Sequence, residues 1–559
     1  MIRRTVMWVA VLGMLAMATA AWAGGAGASR VASHSRTTVI TLEGNTGVTF
    51  TKNFNPFDAA SFVTSMSVRS LTYEPLLEFN LLGTQVHPWL ATGYKFGAGG
   101  KTLTFTLRKG VRWNDGKPFT AGDVAFTFNL IKANSAANYS GIPPMSERAT
   151  THGPYQVTLH FKQAVYTDLP AIGGSTFIVP AHIWKGIKNP ATATVLRAVG
   201  TGPYVLKSYS AQVVKYTANR HYWGGRPPIS EVNVPSYSSN SAASNALSSG
   251  QLTWAGNDIP NIKAVYVDRN PRTNHYFFAP GSTVTLFFNV AAGGPLANAA
   301  VRQAISFGIS RNQLSSIGET GYERPATSTS GLILPNQKQY LVKGDTKNLP
   351  GTPAKKKVAA ILKKAGYRIV NGTWSKNGKP ITFSIEDPTA YSDYFEDATL
   401  ICNEMKAVHI GCTVDGVATS QWYADLPAGH FQAAIHWGAG GVSPFVQYQN
   451  WMDYTLSARI GSAATADYGR YHNKAAQAAL RAMEGTNPAN TKAITRDVHT
   501  LASLFSNQVP DAPLLYGADW DEYSTAHFVG FPSPANPYMD PSPGDPQLPY
   551  ILMHLRVKK

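Results

Sequence analysis

The chain has 559 residues, 44% of them hydrophobic, which places it among soluble globular proteins long enough for two or three domains with sizeable cores. Its 49 Lys and Arg against 32 Asp and Glu give a formal charge of +17, but the basic residues are dispersed, which argues against a nucleic-acid-binding face. Only 14% of residues are charged, below the roughly 25% usual for soluble domains. So few carboxylates leave little to lose on acidification, and an acidic habitat fits.

The N-terminus reads as an export signal. Arg3 and Arg4 form a basic start, Val6 to Ala20 is an apolar run, and Ala21-Trp22-Ala23 is an Ala-x-Ala cleavage site followed by Gly24. The run is short for a membrane span of roughly 20 residues, and no later stretch qualifies; an uncleaved anchor is the alternative. Residues 1–23 are therefore expected to be removed as a signal peptide, and losing two arginines takes the charge from +17 to about +15. No cysteine stands near the cleavage site, so no lipid anchor is expected and the chain should be periplasmic or secreted. Residues 24–37, rich in Gly, Ala and Ser, read as a flexible leader.

Phe54-Asn55-Pro56-Phe57, then LTYEPLLEFN from Leu71 and HPWLATGYKF from His87, lead into the most distinctive segment, Leu103 to Ile131. There Leu103, Phe105 and Leu107 alternate with Thr104, Thr106 and Arg108, the period-2 pattern of a half-buried strand. A second apolar run, Val111 to Trp113, ends at Asn114-Asp115-Gly116, a turn in which Gly takes φ > 0 without steric cost. Thr120 stands three residues before Asp123, a capping box that opens a helix whose apolar surface is Val124, Phe126, Phe128 and Ile131. Gly200-Thr201-Gly202-Pro203-Tyr204 follows, then GQLTWAGNDIP from Gly250 and FFNVAAGGPLANAAVRQAISFGISRNQL from Phe287.

Further on, PAKKKVAAILKKAGY from Pro353 reads as an amphipathic helix capped by Thr352 and ended by Gly366. Val358, Ile361, Leu362 and Ala365 are its buried stripe, and Lys355 to Lys357 with Lys363 and Lys364 its solvated face. Cys402 falls in a helix and Cys412 starts the next strand. In an oxidising compartment this close pair is expected to form a disulfide stabilising a short loop by roughly 2–3 kcal/mol; two buried thiols are the alternative. The chain closes on FVGFPSPANPYMDP, in a Pro-rich tail, 531–549, expected to cover the surface irregularly.

No catalytic or metal-binding constellation emerges. There is neither a His-Glu-x-x-His helix nor a Gly-x-Ser-x-Gly elbow. Gly100-Lys101-Thr102 has Lys95 where a phosphate loop needs its first glycine, and it leads into a strand. The 14 histidines lack metal-ligand spacing, and His430 and His436 read as strand positions. Glu386-Asp387 would point to opposite faces of a strand, a surface or hinge pair. No enzyme, cofactor or metal is expected; a secreted hydrolase is the remote alternative.

The motifs quoted from Phe54 to the closing segment, in this order, resemble the family 5 extracellular solute-binding proteins, the peptide-type binding components of bacterial ABC importers. The resemblance implies an α/β, two-lobed periplasmic-binding-protein fold with a hinge and an extra subdomain inserted in the first lobe. The first lobe would comprise 38–70, 200–287 and 507–559, the inserted subdomain 71–199, and the second lobe 288–506. It implies a monomer that encloses a small extended ligand, by family default an oligopeptide or dipeptide, and passes it to a membrane permease complex.

In one place the chain departs from that pattern. Peptide-binding members place an Asp shortly after a Trp in the second lobe, where it pairs with the peptide's α-ammonium. Here Trp437 is followed by Gly438-Ala439-Gly440-Gly441-Val442-Ser443-Pro444, with no carboxylate. A buried ammonium without a counter-charge is costly. This segment and that from Gly250 look similar to oligosaccharide-binding members. Trp437, Trp254, Asn257, Phe445, Tyr448 and Trp451 would suit a sugar cleft, where rings stack and amides reach hydroxyls; core or hinge placement is the alternative for each. N-terminal sequencing of the exported protein is expected to begin at Gly24; a start at Met1 in membrane fractions would contradict the export reading.

Overall fold

Residues 38–558 are described in a computed structural model, apart from 83, 84, 335, 342, 343, 345, 346, 439, 441 and 442; the expected signal peptide and leader lie outside the described residues. The first lobe holds a four-stranded sheet in the order Val39–Thr41, Glu231–Pro235, Val213–Ala218, Tyr204–Tyr209. Its first pair is parallel, with Val39 opposite Glu231, and the others are antiparallel.

The inserted region carries an antiparallel sheet of Ala91–Gly97, Thr102–Leu107, Gln156–His160 and Thr150–Thr151. Leu103, Phe105 and Leu107 are buried and Thr106 is exposed, as the alternation requires. Phe105 pairs with Tyr94 on one side and Val157 on the other. Helix Ala121–Ala133 opens on the capping box, with Thr120 N donating to Asp123 Oδ2 at 2.9 Å. Asp123 Oδ1 also accepts from Ala181 N at 3.0 Å, so one carboxylate fastens the starts of two helices. Val124, Phe128 and Ile131 enter a core continuous with that of the first lobe. Gly200 and Gly202 seal this junction, since a Cβ on Gly200 would lie 1.9 Å from Thr72 O.

The second lobe is built on a six-stranded mixed sheet in the order Arg324–Pro325, Asp511–Tyr516, Val284–Phe288, Ala433–Trp437, Thr382–Pro388, Gly411–Val417. Val284–Phe288 is buried on both faces: Leu286 and Phe288 enter one core and Phe287 another. Sheet pairing moves the expected boundaries. Residues 284–287 and 511–516, expected in the first lobe by sequence, are strands of this sheet.

The chain crosses between the lobes twice. A small first-lobe sheet, Trp254–Ala255, Glu522–Ser524 and Asn274–Tyr276, leads into both crossings. They run side by side as Ala279–Pro280 and Ala518–Asp519, antiparallel, with Ala279 opposite Asp519. This two-stranded ribbon is the hinge.

Three local expectations are corrected. The lysine-rich helix spans Lys355–Lys364 with Ala354, not Thr352, at its N-cap; Val358 and Leu362 are buried, and Ile361 and Ala365 only partly, because one face alone meets the lobe. Glu386 and Asp387 are both buried, since Thr382–Pro388 is an inner strand. The tail is irregular but anchored: Asp545 accepts from Arg69 N and Ser70 N at 2.9 Å each, and Leu548–His554 closes it as a helix. Among the described residues no helix is long and apolar enough to cross a membrane.

Cys402, on helix Ser392–Ala407, is disulfide-bonded to Cys412, on strand Gly411–Val417. Thiol titration of the denatured, unreduced protein is expected to find no free thiol; two would contradict the pairing.

Many carboxyls are buried. Glu74, from the LTYEPLLEFN segment, accepts from Tyr222 Oη at 2.7 Å and Trp223 Nε1 at 2.9 Å, yet burial outweighs these donors and pushes it up to about 7. Glu43 is likewise pushed up to about 7 by burial, against bonds from Asn257 Nδ2 and Gly256 N. Such groups favour the fold where they are protonated. Their stabilisation is complete below the ordinary value of 4.5 and is lost as pH rises through about 7. Urea unfolding of wild type and Glu74→Gln at pH 4.5 and 8 is expected to show a smaller loss at pH 8 in the variant, by on the order of 1–3 kcal/mol. Equal losses would contradict this account.

Candidate ligand cleft

Strand Ala433–Trp437 runs out at Trp437, whose ring is 38% exposed beside the equally exposed Tyr423. Behind Trp437 the aromatics are layered. His436 lies 4.3 Å away and stacks on Trp422 at 5.0 Å, and Trp422, Tyr394 and Tyr391 stand 5.8, 6.3 and 6.5 Å from Trp437. Tyr391 Oη and Tyr423 Oη share a hydrogen bond at 3.3 Å. Burial pushes His436 down to about 4, so the ring is neutral and its Nδ1 donates to the Trp437 carbonyl.

Tyr139 of the inserted region is 49% exposed. Tyr139 rests on Arg69, whose guanidinium is 4.7 Å from its ring and 4.6 Å from that of Phe177, while Arg69 Nε donates to Asp545 Oδ2 at 3.0 Å. Two carboxyls act on Tyr391, namely Asp393 and Asp387, both buried. Burial pushes Asp393 up to about 6 and Asp387 well above the carboxylate range. The exposed part of the wall is therefore Trp437 and Tyr423, with the two carboxyls buried behind Tyr391.

The glycines after Trp437 serve close packing. A Cβ on Gly438 would lie 2.9 Å from Thr283 Oγ1 and 3.0 Å from Trp451, and one on Gly440 1.7 Å from Gly281 O. Gly438 and Gly440 therefore pack against Thr283 and Gly281, just before strand Val284–Phe288. Ala439, Gly441 and Val442 lie outside the described residues.

Of the six residues singled out by sequence, Trp437 alone presents a large exposed surface. Trp254 is fully buried and donates from Nε1 to Asp521 Oδ1 at 2.7 Å. Asn257 is buried and donates to Glu43 Oε2 at 2.6 Å. Phe445, Tyr448 and Trp451 lie on helix Pro444–Met452, whose inner stripe packs into the second lobe; Tyr448 Oη donates to Ser330 O at 2.8 Å, and Trp451 meets Phe505 at 4.8 Å. The helical spacing of 445, 448 and 452 was the signal for this inward face. Tyr423, Tyr139, Tyr468 and Tyr391 were not anticipated. They come from separate elements, and no local pattern joins them.

Two lobes joined by a paired ribbon give the two-lobed α/β fold of periplasmic binding proteins. The fold is shared with the periplasmic oligopeptide-binding protein of a Thermotoga maritima oligopeptide ABC transporter, solved with mannohexaose bound: TM-score 0.84 over 94% of this chain and 99% of that one, at 23% identity. The Escherichia coli (strain K12) nickel-binding periplasmic protein is 26% identical over 390 residues, 67% of this chain and 71% of that protein. The dipeptide-binding protein of the same strain is 27% identical over 338 residues, 56% of this chain and 61% of that one. The description of bacterial extracellular solute-binding proteins, family 5 (middle region), matches residues 85–458, and the chain belongs to that family.

Proposed function

We propose that this protein is the exported solute receptor of an ABC importer, capturing an extended solute between its lobes and presenting the closed form to a membrane permease. Oligopeptide or dipeptide is the ligand class that family membership favours, and the dipeptide-binding relative supports it. The observation that carries the reading is Trp437, exposed at the end of a second-lobe strand over a layer of aromatic rings, in a chain of this family. An exposed ring that stacks on a ligand gains contacts when the lobes close, and differential affinity for the closed form then shifts the equilibrium. The same ring would also stack on sugars. That second reading rests on the lack of a carboxylate from Gly438 to Pro444 and on the mannohexaose-bound structural neighbour.

The segment from Gly438 to Pro444 holds no carboxylate for an α-ammonium, so on this reading stacking and neutral hydrogen bonds supply the affinity. Calorimetric titration with a panel of short peptides, their N-acetylated forms and β-linked oligosaccharides tests this. Acetylation and moderate salt are expected to change affinity little. Trp437→Ala is expected to weaken binding by roughly 1–3 kcal/mol with the fold retained, the range for losing one aromatic anchor. Tight, salt-sensitive binding that requires a free N-terminus would show that a carboxylate anchor exists after all. Binding confined to the oligosaccharides would replace peptide with sugar.

A further inference from the structure

At the cleft mouth the inserted region and the second lobe meet through acidic groups. Gln163 Nε2 donates to Glu484 Oε2 at 3.2 Å. Beside this bond Asp168, buried and next to Thr167, faces Glu484, Arg481 and Gln449 of the second lobe. Arg481 Nη1 donates to both oxygens of Glu484 at 2.6 Å; its Nη2 donates to Thr455 Oγ1 at 2.9 Å and lies 3.9 Å from Asp453 Oδ2. Asp168, Glu484 and Asp453, all buried, therefore share one guanidinium.

A second meeting of this kind lies at the hinge. Asp258 of the first lobe is buried against Asp393 of the second. Glu319, Glu323 and Asp397 complete the group, with Asp387, Glu396 and Glu404 of the second lobe, Glu522 of the first, and the phenols of Tyr394 and Tyr322 acting on its members. Glu404 is in turn opposed by Arg311. Glu323 Oε1 accepts from Ala518 N of the hinge ribbon at 2.7 Å, and Tyr322 Oη accepts from Ile262 N across the lobes at 3.1 Å. Glu319 and Asp397 are both buried, and the Asp397 charge adds to the cost of ionising Glu319.

We propose that closure of the lobes is coupled to proton uptake, so that the closed, solute-holding form is the acid form and a rise in pH opens the cleft. Closing removes Asp168 from water and sets it against Glu484, and at the hinge it sets Asp258 against Asp393. Carboxyls so placed cannot all stay ionised. Burial, with Glu484 adding, pushes Asp168 up to about 8; burial, with Asp453 adding and Arg481 opposing, pushes Glu484 up to about 7. Burial, with Asp393 adding, pushes Asp258 up to about 8, and Glu319 and Glu323 rise well above the carboxylate range. Opening parts these groups and readmits water, so the open form binds fewer protons. Each proton taken up on closing changes the closed-to-open ratio by up to about tenfold per pH unit between the two pKa values. The inference rests on the two-lobed closure proposed above and not on the identity of the solute.

Small-angle X-ray scattering of the full mature chain without solute, at pH 4.5 and 8 with far-ultraviolet circular dichroism in parallel, tests it. Wild type is expected to be compact at pH 4.5 and expanded at pH 8 with its helix signal unchanged, and Asp168→Asn/Glu484→Gln is expected to stay compact at pH 8. Asp258→Asn, which probes the hinge separately, is expected to move the expansion upward by about a pH unit and serves if the double variant fails to fold. Identical wild-type scattering at both pH values, wild-type expansion in the folded variants, or expansion that coincides with loss of helix signal would each overturn the proposal. Because no solute is present, its failure leaves the receptor assignment standing, and failure of the solute titration leaves this inference standing.

Discussion

The chain's two crossings between the lobes are held side by side by the ladder between Ala279–Pro280 and Ala518–Asp519. Two short strands are the sole regular structure shared by the chain's two crossings among the described residues, so bending them reorients one lobe without breaking either core. The packing around them is tight: a Cβ on Gly281 would lie 1.7 Å from Asp519 Oδ2, and one on Gly440 1.7 Å from Gly281 O. Gly440, three residues after Trp437, therefore packs directly on the chain next to this ribbon.

The second constraint is electrostatic. The chain has few carboxylates, but it buries many of those it has, in both lobes and at both junctions between them. Glu74 in the inserted region and Glu43 in the first lobe accept from Tyr222, Trp223 and Asn257. At the cleft mouth and the hinge, acids face other acids, and the compensation has to come from protons or from Arg481 and Arg311. A positive surface over a neutral-acid interior is a consistent design for acidic surroundings, where the interior acids keep their protons and the surface keeps its charge.

Much of the first half was legible in the sequence because its signals are local. The alternation at 103–107 became a strand with the expected buried face, and the Thr120–Asp123 box became a helix start. Family motifs extended that reading to the whole architecture, and the matched description over 85–458 agrees. Where the rules were local but competing, errors followed. Thr352 looked like a cap, yet the helix begins two residues later. Lobe boundaries at 287/288 and 506/507 cut through chain that belongs to one sheet, because which strands pair is decided by partners some 220 residues apart.

The cleft shows the same division more sharply. By itself the sequence determined local elements such as the strand at 103–107 and the helix start at Thr120, since each follows from neighbours a few positions away. Only the tertiary structure decided that Trp437 is exposed while Trp254, Asn257, Phe445, Tyr448 and Trp451 are buried, and that Asp168 meets Glu484. Burial and pairing depend on what the rest of the chain brings to a point in space, and a side chain's identity fixes neither the direction it faces nor the charge of what it meets.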